Sequence, residues 1–215
     1  MMIIIVMGVS GCGKSTIGKK LARRLGYSFL EGDDFHPVEN ISKMKSGIPL
    51  TDQDRLPWLN KISEKCTQEN DIGNNVVVAC SALKKQYRLV LNKAKKYELV
   101  YLFGDLETIK QRMNERNHFM PIELITSQFE TLEPPSVAEN PILVDINLPV
   151  DLLVKQIALE IHLQDLVNYN KNMNIEMRGG SWQWGAHCKS EGQLRSPMAP
   201  QKASSKSATE IKFVA

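Results

Sequence analysis

The chain carries Gly8-Val9-Ser10-Gly11-Cys12-Gly13-Lys14-Ser15 directly after a short, isoleucine-rich apolar run at residues 1–7. These eight residues match the pattern G-x-x-x-x-G-K-[ST], in which the backbone N–H groups of a glycine-rich loop bind phosphate oxygens. The pattern assigns Lys14 to the β- and γ-phosphates as a catalytic residue, and the Ser15 hydroxyl to Mg²⁺. A helix is predicted over residues 15–25, so its positive N-terminal end faces the anion. Residues 8–16, ending at Thr16, are therefore predicted to bind a nucleoside triphosphate.

Short apolar or aromatic runs alternate with stretches of helical periodicity over most of the chain. The predicted strands are 3–7, 27–30, 75–81, 98–103 and 141–146, and the predicted helices are 15–25, 81–96, 105–116, 121–132 and 149–167. Strands that are apolar on both faces are typical of parallel sheets covered by helices. The sequence therefore predicts an α/β fold, with a parallel sheet of about five strands and helices on both faces.

Two segments depart from this alternation. Residues 34–70 are polar, contain three prolines, and are predicted to form a helical insertion that builds an acceptor site after the second strand. From residue 168 the composition changes to Asn, Ser, Gly, Lys and Pro, so a basic tail at 168–215 is predicted to be disordered or weakly ordered. A docking segment centred on Trp182 and Trp184 is the alternative for this tail. One domain at 1–167 is therefore expected.

Composition argues against several classes of function. The net charge is +3, but residues 168–215 alone carry +4 and residues 1–167 carry −1, so a nucleic-acid-binding surface is not expected. No apolar run approaches the roughly 18 residues of a membrane span, and the N-terminal run leads straight into the glycine loop instead of a cleavage site. The four cysteines lack paired spacing, and His187 beside Cys188 lacks a second ligand pair. Reduced thiols and a cytoplasmic location are therefore expected, without membrane or zinc.

Four further segments narrow the identity of the acceptor. They are 32–37 (GDDFHP) with 52–59 (DQDRLPWL), 80–88 (CSALKKQYR), 112–121 (RMNERNHFMP) and 127–133 (SQFETLE). In this order the segments resemble those of the gluconate kinases (gluconokinases), small P-loop kinases related in fold to shikimate and nucleoside monophosphate kinases. The resemblance covers residues 3–161. It implies a P-loop NTPase fold and ATP- and Mg²⁺-dependent phosphorylation of the 6-hydroxyl of D-gluconate to 6-phospho-D-gluconate, and it suggests a homodimer.

A sugar acid presents one carboxylate and several hydroxyls, so its site needs cations in fixed geometry and hydrogen-bond acceptors. Arg88 and Arg55 are predicted to bind the carboxylate. Lys84 lies four residues before Arg88 on a predicted helix, so both side chains are expected to point the same way. For Lys84, a solvated surface lysine is an equal alternative to a substrate-binding role.

Asp33 follows the second predicted strand, where an acceptor hydroxyl is expected. It is predicted to orient or deprotonate that hydroxyl as a catalytic and substrate-binding residue. The alternative is a carboxylate that caps the following helix, a role that suits Asp34 better. His36 is a candidate to hydrogen-bond sugar hydroxyls, with packing at the start of a helix as the alternative.

The segment at 112–121 resembles the mobile lid of these kinases. Arg116 is predicted to stabilise the transferred phosphoryl group and Arg112 to contact the nucleotide, whose adenine the resemblance places near Arg112 and residues 145–149. Two solvated arginines are the alternative. The family pattern R-L-x-x-R-x-G-H-F is one residue shorter here and lacks its glycine, with Asn117 in that region. The alternative functions are therefore a catalytically impaired nucleotide-binding isoform or a kinase of another small hydroxy acid, such as shikimate.

Cys12 occupies a loop position that is commonly serine or another small residue in the family. A thiol near the positive end of a helix can have a lowered pKa, which predicts sensitivity to oxidants. The alternative is a passive small side chain, since the loop needs only the backbone N–H at this position.

Overall fold

The computed structural model describes residues 1–93, 97–114, 123–172, 177–178 and 181–182. The strands of its main sheet are β1 (Ile3–Met7), β2 (Ser28–Glu31), β3 (Val76–Ala79), β4 (Glu98–Phe103) and β5 (Ile142–Asp145). The helices are α1 (Lys14–Leu25), α2 (Val38–Lys45), α3 (Asp52–Asp71), α4 (Lys85–Leu91), α5 (Leu106–Asn114), α6 (Glu123–Thr131) and α7 (Val150–Asn172). The predicted alternation is confirmed, and a 3₁₀ turn at Gly32–Phe35 links β2 to the two helices of the insertion.

The five strands form one parallel sheet in the order β2-β3-β1-β4-β5. In the central register Ile5 of β1 lies opposite Val78 and Leu99. Every residue of β1 and β3 is buried, as expected for inner strands with helices on both faces. Because the strands are parallel, the loops after β1, β2 and β3 all leave from the same edge of the sheet. The glycine loop, the insertion and residues 80–84 therefore meet there.

The glycine loop between β1 and α1 has backbone conformations and close contacts that require glycine at two positions. A Cβ at Gly8 would lie 2.6 Å from the carbonyl oxygen of Leu102, and its φ is +143°. Gly13 caps the N-terminus of α1 with φ +99°, a conformation that side chains rarely adopt. Helix α1 has no acidic residue in its first turn, so its free N–H groups remain suited to an anion.

The helix predicted at 81–96 is shorter in the structure. Helix α4 begins at Lys85 instead of residue 81 because Ala82 adopts a left-handed conformation (φ +44°) and Lys84 is extended. The guanidinium of Arg88 donates to the carbonyl oxygens of Ala82 and Leu83 and so holds this loop out of the helix. Residues 80–84 consequently form a wall of the cleft described below.

The chain divides into two units, Met1–Tyr169 and Asn170–Ala215. Helix α7 extends to Asn172, five residues beyond the domain end predicted at 167. Within the second unit, β6 (Met177–Arg178) and β7 (Ser181–Trp182) pair antiparallel. The other predictions for the tail, including that for Trp184, concern residues outside the described ranges. In the part of the chain that the structure describes, no helix is long and apolar enough to cross a membrane.

Candidate active site

Two adjoining recesses open at the edge of the sheet where the strands end. The first is a cleft of about 580 Å³, measured to its open mouth, between the glycine loop and the helical insertion. The second follows the glycine loop past Ser15 and Thr16 to Arg112. Ser10, Lys14 and Asp33 line both recesses. The structure therefore brings the predicted phosphate-binding residues and the predicted catalytic carboxylate together.

The two side chains predicted to bind the phosphates and Mg²⁺, Lys14 and Ser15, each interact with a neighbouring group. The ammonium of Lys14 donates a hydrogen bond to the carbonyl oxygen of Val9, with Nζ and O 2.9 Å apart. The Ser15 hydroxyl interacts with the carboxylate of Glu31, and burial raises the pKa of that carboxyl more than this interaction lowers it. Glu31 was not among the residues predicted from the sequence, although its place at the end of β2 is a signal that could have identified it.

This pair of oxygens suits Mg²⁺, which prefers hydroxyl and carboxylate ligands and usually retains substrate phosphates and waters as well. Within the described residues, no group of three or more His, Cys, Asp or Glu side chains could hold a metal unaided. A magnesium ion at Ser15 and Glu31 would therefore depend on the phosphates for part of its coordination.

The structure favours the passive alternative for Cys12 over the hypothesis of oxidant sensitivity. Its side chain is buried beneath the loop, and this burial raises the pKa of the thiol. The positive charges of Lys14 and Arg112 act in the opposite direction but are outweighed. The thiol is thus held protonated, as a small packing residue.

The 3₁₀ turn after β2 places Asp33 at the junction of the two recesses. The Asp33 side chain is exposed there, beside Lys14 in both linings. Neither the 3₁₀ turn nor α2 has a side-chain cap, so neither Asp33 nor Asp34 caps the following helix. The predicted catalytic role of Asp33 stays a prediction, and the capping alternative is removed.

His36 forms the floor of the acceptor cleft together with Trp58. The two rings stack with centroids 4.1 Å apart, and the indole N–H donates to the carbonyl oxygen of Gly32. The amide of Asn40 lies 3.3 Å from Nδ1 of His36. Burial lowers the pKa of His36 to about 4, outweighing the negative charge of Asp33, which acts in the opposite direction. The imidazole is therefore neutral at physiological pH and can both donate and accept one hydrogen bond.

This depressed pKa predicts a specific pH dependence of stability. Between pH 6.5 and about 4 the unfolded chain binds a proton at His36 that the folded chain does not, so the free energy of unfolding decreases as pH falls through this range. His36→Gln is expected to reduce that decrease, whereas His162→Gln, which removes an exposed histidine of α7, should leave it unchanged. Urea unfolding of the ligand-free protein from pH 4 to 7.5 measures the difference. Equal slopes for wild type and His36→Gln would contradict the burial of this imidazole.

Of the three cations predicted to bind the acceptor (Arg55, Lys84 and Arg88), Arg55 is the one that lines the acceptor cleft. One terminal nitrogen donates to the carbonyl oxygen of Leu50 at 2.5 Å and to the Tyr87 hydroxyl at 3.3 Å. The guanidinium also lies 5.6 Å from the centre of the Tyr87 ring. These contacts fix the guanidinium on the side of the cleft formed by the insertion. The structure thus brings Arg55 together with Asp33 and His36.

Lys84 and Arg88 do not reach this cleft, and their predicted shared direction is wrong. Lys84 precedes α4 and forms an ion pair with Asp52, in which Nζ of Lys84 lies 2.8 Å from Oδ1 of Asp52. This pairing, with a hydrogen bond from Tyr87, lowers the pKa of Asp52 to about 2. The structure therefore agrees with the alternative for Lys84, a lysine at the surface.

The Arg88 side chain is 2% exposed, and each terminal group of its guanidinium is hydrogen-bonded within the protein. Its Nε and Nη2 donate to the two carboxylate oxygens of Glu139 at 2.6 and 3.1 Å. Its Nη1 donates to backbone carbonyl oxygens of the 80–84 loop and to that of Glu133. We therefore correct the prediction that it binds a substrate carboxylate, since its hydrogen-bonding groups are already used inside the protein.

Arg112 lies where the resemblance placed the nucleotide. Its Nη2 donates to the carbonyl oxygen of Ile146 at 2.9 Å, which joins α5 to the 145–149 turn. Thr16, Arg112, Ile146, Val150 and Leu153 line a further recess beside the glycine loop. Arg116 and Asn117 lie outside the described residues, as does the rest of the predicted lid beyond residue 114.

Helix α6 also contributes to the site. Leu124, Ser127 and Gln128 line the acceptor cleft, and the side-chain oxygen of Gln128 accepts a hydrogen bond from the backbone N–H of Ser10 at 2.7 Å. Gln128 was not predicted as a site residue, although the SQFETLE segment that contains it contributed to the family resemblance. No local pattern marks a glutamine on one helix as the partner of a loop 118 residues away.

Comparison with known proteins agrees with this geometry. The family model described as shikimate kinase matches residues 10–134. The chain is 44% identical over 177 residues to a probable gluconokinase of Xenopus tropicalis, covering 74% of this chain and 93% of that protein. It is 46% identical over 158 residues to the thermosensitive gluconokinase of Escherichia coli K12, covering 71% and 83%. A solved gluconokinase of Sinorhizobium meliloti 1021 is 41% identical, covers 79% of this chain and 97% of its own, and superposes with a TM-score of 0.73. With this identity across nearly the full length of its relatives, and with the fold and glycine loop of a P-loop kinase, the chain belongs to the gluconokinase family.

Proposed function

We propose that this chain transfers the γ-phosphoryl group of ATP to the 6-hydroxyl of D-gluconate, giving 6-phospho-D-gluconate and ADP. The observation that carries the proposal is the position of Asp33, which lines both the phosphate-binding recess and the acceptor cleft. The names of its relatives supply the identity of the acceptor. In the cell we propose a cytoplasmic enzyme, a homodimer, whose catalytic domain is residues 1–167 and whose tail is residues 168–215.

On the donor side, the backbone N–H groups of residues 8–16 bind the phosphates. Lys14 exchanges its hydrogen bond with Val9 for the β- and γ-phosphate oxygens. Ser15 and Glu31 hold Mg²⁺, which when bound neutralises charge on those oxygens. Arg112 and the 145–149 turn form the side of the recess where the adenine binds.

On the acceptor side, Arg55 binds the gluconate carboxylate, for which a guanidinium offers paired N–H donors. The neutral imidazole of His36 hydrogen-bonds a hydroxyl of the chain. Asp33 orients the 6-hydroxyl and accepts its proton as the oxygen attacks the γ-phosphorus and the bond to the bridging oxygen of ADP breaks. Arg116 stabilises the phosphoryl group during transfer.

A spectrophotometric assay that couples ADP formation to NADH oxidation tests this function. The purified chain is incubated with ATP, Mg²⁺ and, separately, D-gluconate, shikimate or another sugar acid. Of these acceptors, we expect only D-gluconate to be phosphorylated. We expect no turnover in a Lys14→Ala preparation, which controls for contaminating kinases. Turnover of shikimate in place of gluconate would show a different acceptor. Binding of ATP without phosphorylation of any acid would show a catalytically impaired isoform.

A further inference from the structure

Helix α6 is connected to the catalytic lysine through a single peptide unit of the glycine loop. This unit joins Val9 to Ser10. Its N–H donates to the side-chain oxygen of Gln128 at 2.7 Å, and its carbonyl oxygen accepts from Nζ of Lys14 at 2.9 Å. Because the peptide bond is planar, the two hydrogen bonds together fix the orientation of the whole unit. Gln128 therefore acts on the group that holds Lys14 at rest.

The same helix forms part of the acceptor cleft. Leu124 and Ser127 line this cleft beside Gln128, and the Leu124 side chain is buried. A molecule seated in the cleft would contact this face of α6 and would limit its movement. Gln128 connects this face to the 9–10 peptide, which belongs to the glycine loop.

From these contacts we propose that Gln128 is a positioning residue that couples the two substrates: acceptor bound against α6 fixes the 9–10 peptide and raises the affinity of the loop for nucleotide. This inference rests on the function proposed above, since it takes D-gluconate as the acceptor. The coupling is reciprocal, so bound nucleotide raises the affinity for the acceptor by the same factor. Its proposed effect on nucleotide affinity is exerted through the hydrogen bond to the backbone N–H of Ser10.

The test measures coupling directly by isothermal titration calorimetry on the full chain. The dissociation constant of a non-hydrolysable ATP analogue with Mg²⁺ is determined with and without saturating D-gluconate. In the wild type we expect gluconate to tighten nucleotide binding about ten-fold, within the usual range for allosteric coupling. Gln128→Met retains the length of the side chain but removes the acceptor oxygen, and Gln128→Ala removes both. In each variant the coupling factor should fall to within about two-fold of unity.

Thr131→Val is the matched control. Thr131 lies on the same helix, and its hydroxyl donates to the carbonyl oxygen of Ser127 in that helix, at 2.7 Å. This variant should retain the wild-type coupling factor. Thermal unfolding of all four proteins verifies that they are folded.

Each other result overturns the inference. Coupling that persists in Gln128→Met would show that packing, not the hydrogen bond to Ser10, connects the sites. Loss of coupling in Thr131→Val as well would assign it to the helix as a whole. Gluconate that binds to the wild type without changing nucleotide affinity would remove the coupling while leaving the proposed function intact. If gluconate neither binds nor is phosphorylated, the proposed function fails, and this inference fails with it.

Discussion

Asp33→Asn is expected to lower kcat for gluconate phosphorylation by about 10²- to 10⁴-fold, the usual contribution of a general base. Asparagine has nearly the same size and can still hydrogen-bond the 6-hydroxyl, but it cannot accept the proton. The side chain is exposed at the junction of the recesses, so the substitution creates no cavity and leaves no buried partner unpaired. Folding and nucleotide binding should therefore be nearly unaffected.

Two measurements separate this role from simple binding. Steady-state kinetics give kcat and KM for gluconate, and calorimetry gives the dissociation constant of a non-hydrolysable ATP analogue, which should change less than about three-fold if the lost interaction belongs to the transition state. Asp34→Asn is the matched control, because Asp34 is the adjacent exposed carboxylate of the same 3₁₀ turn. Retention of most of the wild-type kcat by Asp33→Asn would exclude the proposed base. An equal loss in Asp34→Asn would indicate that the charge of the turn matters more than its position.

The donor half of the site could be predicted because its signal is local. The glycine pattern, the apolar strand before it and the helix after it occupy 25 consecutive residues, and each follows from backbone geometry or burial of β1 and α1. Asp33 and His36 could also be predicted as site residues from the sequence, because residues just after parallel strands meet at the same edge of the sheet. Glu31 could have been identified by the same reasoning.

The remainder depends on contacts between distant segments. Spacing alone placed Lys84 and Arg88 on one helix face, but the left-handed Ala82 shortens α4 and separates the two side chains. The pKa of Cys12 was predicted from the helix end, whereas burial under the loop is the larger effect. The link between Gln128 and Ser10 spans 118 residues and has no sequence signature. Desolvation and long-range hydrogen bonds are thus what the sequence did not reveal.

Arg88 shows most clearly how a residue expected in the site supports it from outside. One guanidinium joins the 80–84 loop, Glu133 in the segment after α6, and Glu139 at the end of a second 3₁₀ turn, Val137–Glu139. Hydrogen bonding from Arg88 lowers the pKa of Glu139 to about 2, so the ion pair persists throughout the physiological range. The 80–84 loop and the segment that follows α6 are joined by this side chain together with the hydrogen bond from the Glu133 N–H to the carbonyl oxygen of Leu83 at 2.9 Å.

Arg88→Ala is accordingly expected to destabilise the protein by about 3–5 kcal/mol, the usual effect of removing one partner of a buried ion pair. Arg88→Lys should recover little of this, because an ammonium cannot bind Glu139 through two nitrogens and also reach three carbonyl oxygens. Lys84→Ala is the control: its ion pair with Asp52 is at the surface, so about 0–1 kcal/mol is expected. Urea unfolding at pH 7 gives all three free energies. A variant of Arg88 that unfolds like the wild type but has a greatly raised KM for gluconate would contradict this structural role, because it would mean that the guanidinium binds the substrate carboxylate after all.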